Sequence, residues 1–171
     1  MSGYVHVYTG NGKGKTTAAL GLALRAAGAG WQVFFAQFAK GMATSEQAAL
    51  ARFPDRITIR QYGQPGFIRH GPNGQDLDLA ARGLNECRDA IASGRYRLVI
   101  LDEANLGPAL RLFPVEELLE LVDARPDDVE LVLTGRDADR RLLDRADLVT
   151  EMQEIKHYFR RGVLARTGIE Q

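Results

Sequence analysis

The chain has 171 residues, 45% of them hydrophobic, and its 22 basic residues balance its 22 acidic ones. This length supports one hydrophobic core, so residues 1–171 are expected to form a single domain, while a formal charge of zero argues against nucleic acid and membranes as partners. The sequence has no stretch near the roughly 18 apolar residues of a membrane span, and it leaves no room for a signal peptide before the first strand. It contains a single cysteine. We therefore expect a cytoplasmic protein.

Short β-branched or aromatic runs alternate with longer helical runs along the chain. Strands are predicted at residues 4–8, 31–38, 57–62, 97–101, 129–134 and 147–151, and helices at residues 15–27, 45–53, 76–92, 114–122 and 138–145. This alternation predicts an α/β fold with a mostly parallel sheet and helices on both faces. A long loop at residues 63–75 interrupts the pattern, and loops of this length are usually functional or disordered.

The first predicted strand and helix are joined by a glycine-rich turn. Glycines let consecutive backbone N–H groups point at phosphate oxygens, the helix N-terminus adds a partial positive charge, and Lys15 adds a full one. The Thr16 hydroxyl can ligate Mg²⁺, and the usual G-x-x-x-x-G-K-[ST] pattern is varied only in having Thr9 at its first position. We predict that this P-loop binds the triphosphate of ATP through Gly10, Asn11, Gly12, Lys13, Gly14, Lys15, Thr16 and Thr17.

Two adjacent carboxylates, Asp102 and Glu103, end an apolar predicted strand. In P-loop proteins such a strand presents an acid that holds Mg²⁺ directly or through water. Adjacency alone does not reveal which of the two ligates the metal. In the alternative interpretation Asp102 caps the next turn and Glu103 is solvated, and the P-loop elsewhere in the chain disfavours it.

Taken together, these motifs closely resemble the P-loop ATP:corrinoid adenosyltransferases of cobalamin biosynthesis and salvage. The likeness begins in the P-loop at residues 9–19 and continues in the family's order through residues 37–41, 101–103, 133–136, 146–152, 156–157 and 168–170. A P-loop alone is generic, but this ordered set covers essentially the whole chain and is specific.

The resemblance implies a RecA-like P-loop NTPase fold, a homodimer and an electron donor such as a flavoprotein. It also implies a reaction in which the Co(I) centre of a reduced corrinoid attacks the 5′ carbon of ATP and expels triphosphate. By the same resemblance, Lys15, Thr16 and Glu103 are the catalytic residues, Thr16 and Glu103 ligate Mg²⁺, and Asp102 supports them. Attack by cobalt at carbon needs no proton transfer, so the protein must orient the reactants and neutralise the leaving triphosphate.

The loop at residues 63–75 is implied to face the corrinoid. Phe67 matches an aromatic residue that contacts the ring in this family, and Arg69 stands where the family usually has Trp. A guanidinium at this position can pair with an acidic side chain of a biosynthetic corrinoid. Many family members also begin with a helical arm over the partner subunit's corrinoid pocket, and this chain is expected to lack that arm because its first strand begins at about Tyr4.

Two other functions stay open at the level of the sequence. An ATP hydrolase or kinase would use Lys15, Thr16 and the acid pair equally well. A nucleotide-dependent binding module would use ATP only to order residues 63–75 for a partner. The products of the reaction separate the first from a transferase, and a lack of turnover with any corrinoid identifies the second.

Overall fold

The computed structural model describes residues 2–66, 68 and 70–170. In it, six parallel strands form one sheet. The sheet has the order β3-β2-β4-β5-β1-β6. Its strands are β1 (Val5–Thr9), β2 (Val33–Phe38), β3 (Ile57–Tyr62), β4 (Leu98–Asp102), β5 (Glu130–Thr134) and β6 (Leu148–Glu151). All five neighbouring pairs are parallel, which confirms the predicted fold class of a P-loop type α/β sheet.

Helices cover both faces of this sheet, as predicted. They are α1 (Lys15–Gly28), α2 (Ser45–Leu50), α3 (Gly74–Ala92), α4 (Leu106–Ala109), α5 (Val115–Asp123) and α6 (Arg140–Arg145), followed by a 3₁₀ turn at Tyr158–Arg161. On one face, Ala19 and Ala23 of α1 pack in a cluster with Phe35 of β2. On the other face, Leu84 of α3 and Leu118 of α5 belong to the larger core cluster. The two clusters fix the sheet between two helical layers.

Two short helical elements were not predicted from the sequence. Helix α4 has the sequence LGPA, and glycine and proline are poor helix formers. Its glycine is required by packing, since a Cβ at Gly107 would lie 2.1 Å from the Phe113 ring. The 3₁₀ turn likewise follows no apolar period. The strands and helices that were predicted are all present, with ends shifted by up to a few residues. For example, β2 begins at Val33 rather than residue 31, and α2 ends at Leu50 rather than residue 53.

The strand that carries the acid pair is not a direct neighbour of the strand that precedes the P-loop. Strand β5 lies between β4 and β1. Because all the strands are parallel, the loops that follow β1, β2, β4 and β5 nevertheless meet at one edge of the sheet, where ligands bind in open α/β folds.

The single cysteine and the absence of long apolar runs can be compared with the structure directly. Cys87 is fully buried in α3 and burial raises the pKa of its thiol, so it behaves as a small packing residue. In the part of the chain that the structure describes, no helix combines the length and the apolar character needed to cross a membrane.

Candidate active site

Glycine conformations shape the P-loop, residues 10–17. Gly10 and Gly14 have φ values of 91° and 123°, which side chains rarely adopt. The loop also lies close to the segment after β6, because a Cβ at Gly12 would be 2.7 Å from the carbonyl oxygen of Met152. The Gly12 N–H donates to this same oxygen at 2.6 Å. This amide therefore anchors the loop to the segment after β6, and helix α1 begins within the last residues of the loop, at Lys15.

Lys15 is the first residue of α1, and its ammonium group folds back over the loop. Nζ donates to the carbonyl oxygens of Gly10 at 2.7 Å and Gly12 at 2.8 Å. Burial lowers the pKa of Lys15, and the nearby Glu103 and Asp102 carboxylates oppose this shift. Both present partners are neutral, so an anionic phosphate oxygen would be a stronger acceptor for this ammonium group.

Asp102 is fully buried at the end of β4, and its carboxylate accepts four hydrogen bonds. Oδ1 accepts from the hydroxyls of Thr16 at 2.9 Å and Thr134 at 2.7 Å. Oδ2 accepts from Lys40 at 2.8 Å and Gln37 at 3.2 Å. Because the Thr16 hydroxyl donates its hydrogen bond to Asp102, the lone pairs of its oxygen stay free to bind a cation.

Sequence reasoning gave Lys40, Gln37 and Thr134 no role in this site. Their position in the sequence could have indicated a role in the site. Each lies at or near the carboxyl end of β2 or β5, at the edge of the sheet where the P-loop was expected. Burial by itself lowers the pKa of Lys40, but its ion pair with Asp102 outweighs burial and raises the pKa.

Glu103 turns away from the buried network in which Asp102 lies. Its φ of 61° is in the left-handed region, which is uncommon for a residue with a side chain. Its N–H donates to the Thr134 hydroxyl oxygen at 3.1 Å, which fixes this turn. Burial raises the pKa of the Glu103 carboxyl, the Asp102 charge raises it further, and Lys40 and Lys15 lower it. The two adjacent acids therefore face different surroundings.

A cleft of about 840 Å³ brings together the predicted metal residues and all of the predicted phosphate residues except Gly10. Its lining includes the whole run from Asn11 to Thr17, as well as Lys40, Glu103 and Arg136. We call this space the P-loop cleft. Among the residues that the structure describes, four cationic side chains, those of Lys13, Lys15, Lys40 and Arg136, line it together with three carboxylates, those of Glu46, Glu103 and Glu170. The arrangement suits a polyanion.

Part of the P-loop cleft is formed by the C-terminal segment, residues 152–170, which sequence reasoning did not place there. Lys13 donates through Nζ to the carbonyl oxygen of Ile169 at 2.8 Å and lies 3.8 Å from the Glu170 carboxylate. The Glu170 carboxylate in turn accepts from the backbone N–H of Arg166 at 2.8 Å. Lys13 was predicted to bind phosphate, and in this structure it binds the C-terminal segment.

Comparison with known proteins assigns the family. Residues 1–171 match the family described as ATP:corrinoid adenosyltransferase BtuR/CobO/CobP. The chain belongs to this family. A corrinoid adenosyltransferase of Pseudomonas aeruginosa is 36% identical over 170 residues, which cover 98% of this chain and 83% of that relative. The Escherichia coli K12 corrinoid adenosyltransferase is 36% identical over 169 residues (98% and 85%), and the corrinoid adenosyltransferase CobA of Salmonella typhimurium is 37% identical over 170 residues (98% and 85%).

The donor set for a metal in this member of the adenosyltransferase family is small. Within residues 2–66, 68 and 70–170, no group of three or more His, Cys, Asp or Glu side chains could hold a metal ion. Thr16 and Glu103 line the same P-loop cleft. One hydroxyl and one carboxylate fit Mg²⁺, which is typically bound by one or two carboxylates together with substrate phosphates and water.

The loop that family resemblance assigns to the corrinoid borders the P-loop cleft. A second cavity, of about 370 Å³, is lined by this loop and by Asp76. Ala39 and Ile68 line both the second cavity and the P-loop cleft, so the two spaces adjoin. Phe67 and Arg69 lie outside the described residues, and the assignment of Phe67 to the corrinoid stays a prediction.

Proposed function

We propose that this protein transfers the 5′-deoxyadenosyl group of ATP to the Co(I) centre of a reduced corrinoid and releases triphosphate, in adenosylcobalamin biosynthesis or salvage. Membership of the adenosyltransferase family over the whole chain supports the reaction. The structural observation that carries the proposal is the P-loop cleft, in which the predicted phosphate loop and Glu103 face the same space.

The proposed reaction forms one bond and breaks one bond. The electron pair of Co(I) makes the new bond to C5′, and the pair of the C5′–O bond leaves with the α-phosphate oxygen of triphosphate. Negative charge grows on that oxygen, so the protein must concentrate positive charge along the triphosphate. Lys15 and the N-terminus of α1 supply this charge from the chain itself. No proton is transferred, and the site accordingly needs no general acid or base.

We assign Lys15, Thr16 and Glu103 to catalysis and residues 10–17 to triphosphate binding. Thr16 and Glu103 would hold Mg²⁺, which when bound supplies a further positive charge to the leaving triphosphate. Asp102 orients the Thr16 hydroxyl, and this role is supported by the 2.9 Å hydrogen bond between them. Phe67 would contact the corrinoid, a role supported by the family resemblance of its loop.

The proposal includes partners and a location. Family resemblance supports a homodimer and an electron donor such as a flavoprotein, which would reduce the corrinoid to Co(I). Residues 1–171 would act as one catalytic domain, which the family match over this whole range supports. Use of ATP as the adenosyl donor supports a cytoplasmic site of action.

Product analysis tests this function directly. The protein is incubated with ATP, Mg²⁺ and a chemically reduced corrinoid, and the products are separated by chromatography. We expect adenosylcorrinoid and inorganic triphosphate in equal amounts, with a Co–C bond that light cleaves, and only slow ATP consumption when corrinoid is omitted. Stoichiometric ADP and phosphate with unaltered corrinoid would instead identify an ATP hydrolase.

A further inference from the structure

We propose that Lys40 is a positioning residue for the metal: its ammonium group holds the Asp102 carboxylate in the orientation in which Asp102 accepts the hydrogen bond from the Thr16 hydroxyl. This inference rests on the proposed function, in which Thr16 and Glu103 bind Mg²⁺. Lys40 lies just after β2, and sequence reasoning assigned it no role.

The first step of the argument is the division of labour on Asp102. Its Oδ1 is linked to both proposed metal ligands. It accepts hydrogen bonds from the hydroxyls of Thr16 and Thr134, and the Thr134 hydroxyl oxygen accepts one from the backbone N–H of Glu103. Both proposed metal ligands are thus tied to one carboxylate oxygen. The orientation of that oxygen depends on what holds the opposite one, Oδ2.

Lys40 is the charged partner on that opposite side. Its Nζ lies 2.8 Å from Oδ2, and the other donor to Oδ2 is the neutral amide of Gln37 at 3.2 Å. Asp102 has no exposed surface, and a buried carboxylate is costly unless it is paired with a cation. Lys40 therefore both compensates the Asp102 charge and fixes the plane of its carboxylate.

The backbone around Lys40 holds this position rigidly. Ala39 adopts a left-handed φ of 52°, and its N–H donates to the carbonyl oxygen of Tyr62 at 3.0 Å. The segment then packs backbone to backbone against the loop after β3: a Cβ at Gly63 would lie 2.5 Å from the Lys40 nitrogen, and one at Gly41 would lie 2.3 Å from the Gly63 oxygen. A strained residue held by its surroundings in this way is typical of a functional position.

The test compares ATP binding with and without metal. Calorimetry gives the Kd for ATP with a chelator and with excess Mg²⁺, and the first value divided by the second reports metal-dependent binding. Loss of an outer partner of a metal ligand typically costs about 10–100-fold in metal affinity. We expect Lys40→Met to lower the ratio by that order, Lys40→Arg to restore most of it, and Arg140→Met, which removes a cationic side chain that is 92% exposed on α6, to leave it unchanged.

A double-mutant cycle separates the action through Asp102 from a direct contact with phosphate. Lys40→Met/Asp102→Asn preserves the net charge of the site. We expect its ratio to equal that of Asp102→Asn alone, since coupled residues show non-additive effects. Additive losses, or an equal loss of ATP binding with and without Mg²⁺ in Lys40→Met, would make Lys40 a phosphate ligand and overturn the proposal.

Glu103→Gln identifies which proposal has failed if Lys40→Met has no effect. A lowered ratio in Glu103→Gln with a normal ratio in Lys40→Met rejects the role of Lys40 and leaves the metal site intact. A normal ratio in both variants rejects the assignment of the metal site itself, and with it the role of Lys40. Melting temperatures of all variants show whether each one is folded at the temperature of the titration.

Discussion

At the scale of single residues, Lys15 is the most direct test of the triphosphate cradle. Its ammonium group now binds two neutral carbonyl oxygens of its own loop, and a charged phosphate would replace them. A hydrogen bond between charged groups contributes roughly 1.5–3 kcal/mol, so we expect Lys15→Ala to weaken ATP binding roughly ten- to hundred-fold. Calorimetric titration measures this, with Arg140→Ala, at an exposed position of α6, as the control. An unchanged Kd would show that Lys15 does not bind the nucleotide.

The acid pair gives a second prediction, in which the two neighbours fail in different ways. Glu103→Gln keeps the shape of the side chain and removes the charge that Mg²⁺ prefers, so we expect a large loss of turnover with little change in melting temperature. Asp102→Asn replaces an acceptor of four hydrogen bonds with an amide that accepts at one end only. We expect it to lower the melting temperature more and turnover less.

Turnover and thermal unfolding of both variants, measured below the transition of the weaker one, distinguish these outcomes. If folded Asp102→Asn loses more turnover than Glu103→Gln, the assignment of the metal ligand within the pair is reversed.

At the same scale, the sequence was enough to find the acid pair, but it did not show which of the two acids has which role. Two adjacent carboxylates look alike in a sequence, and their roles separate only because Thr134, thirty-one positions after Glu103, holds the Glu103 backbone in a left-handed turn. Lys40 was missed for the same reason, since its partner Asp102 is 62 residues away. Contacts over such distances leave no local pattern, whereas the P-loop is one continuous run that a sequence pattern can show.

At the scale of elements, the loop between β3 and α3 carries the prediction for the corrinoid. Ile68, next to Phe67, borders the P-loop cleft. We expect Phe67→Ala to slow alkylation of cobalt while it leaves ATP affinity and melting temperature nearly unchanged, because the residue is assigned to the substrate and not to the core. Phe53→Ala is the matched control, since Phe53 is an exposed aromatic residue just after α2.

Corrinoid alkylation followed by absorbance, together with thermal unfolding, measures the effect. Parallel losses of activity and melting temperature in Phe67→Ala would make this aromatic part of the core.

Element boundaries in the sheet were predictable because the strands are apolar runs between turn residues. Strand β3 was predicted with its observed ends, Ile57–Tyr62. Helix α4 was not, because four residues that include Gly107 and Pro108 become helical only where Phe113 packs against them. Elements whose conformation depends on packing against residues outside the element are those that single-sequence reasoning leaves out.

At the scale of the whole molecule, the family could be inferred from the order of the motifs, and the full-length match confirms it. What the order did not reveal is that the C-terminal segment returns to the P-loop. Lys13 binds the carbonyl oxygen of Ile169, and Gly12 binds that of Met152. The two ends of the chain thus build one wall of the P-loop cleft together, and this wall follows from three-dimensional packing that no motif encodes.

The position of β1 within the sheet has a consequence for how the protein is made. This strand is synthesised before the other five strands, but the strands it pairs with, β5 and β6, begin only at Glu130 and Leu148. Pairing across such a separation must await loop closure, whose entropy is lost before any contact is gained. Strands β2, β3 and β4 already pair with one another. A half-sheet without β1 can therefore assemble early, and the P-loop cleft can be completed only when β5, β6 and the segment after them are added.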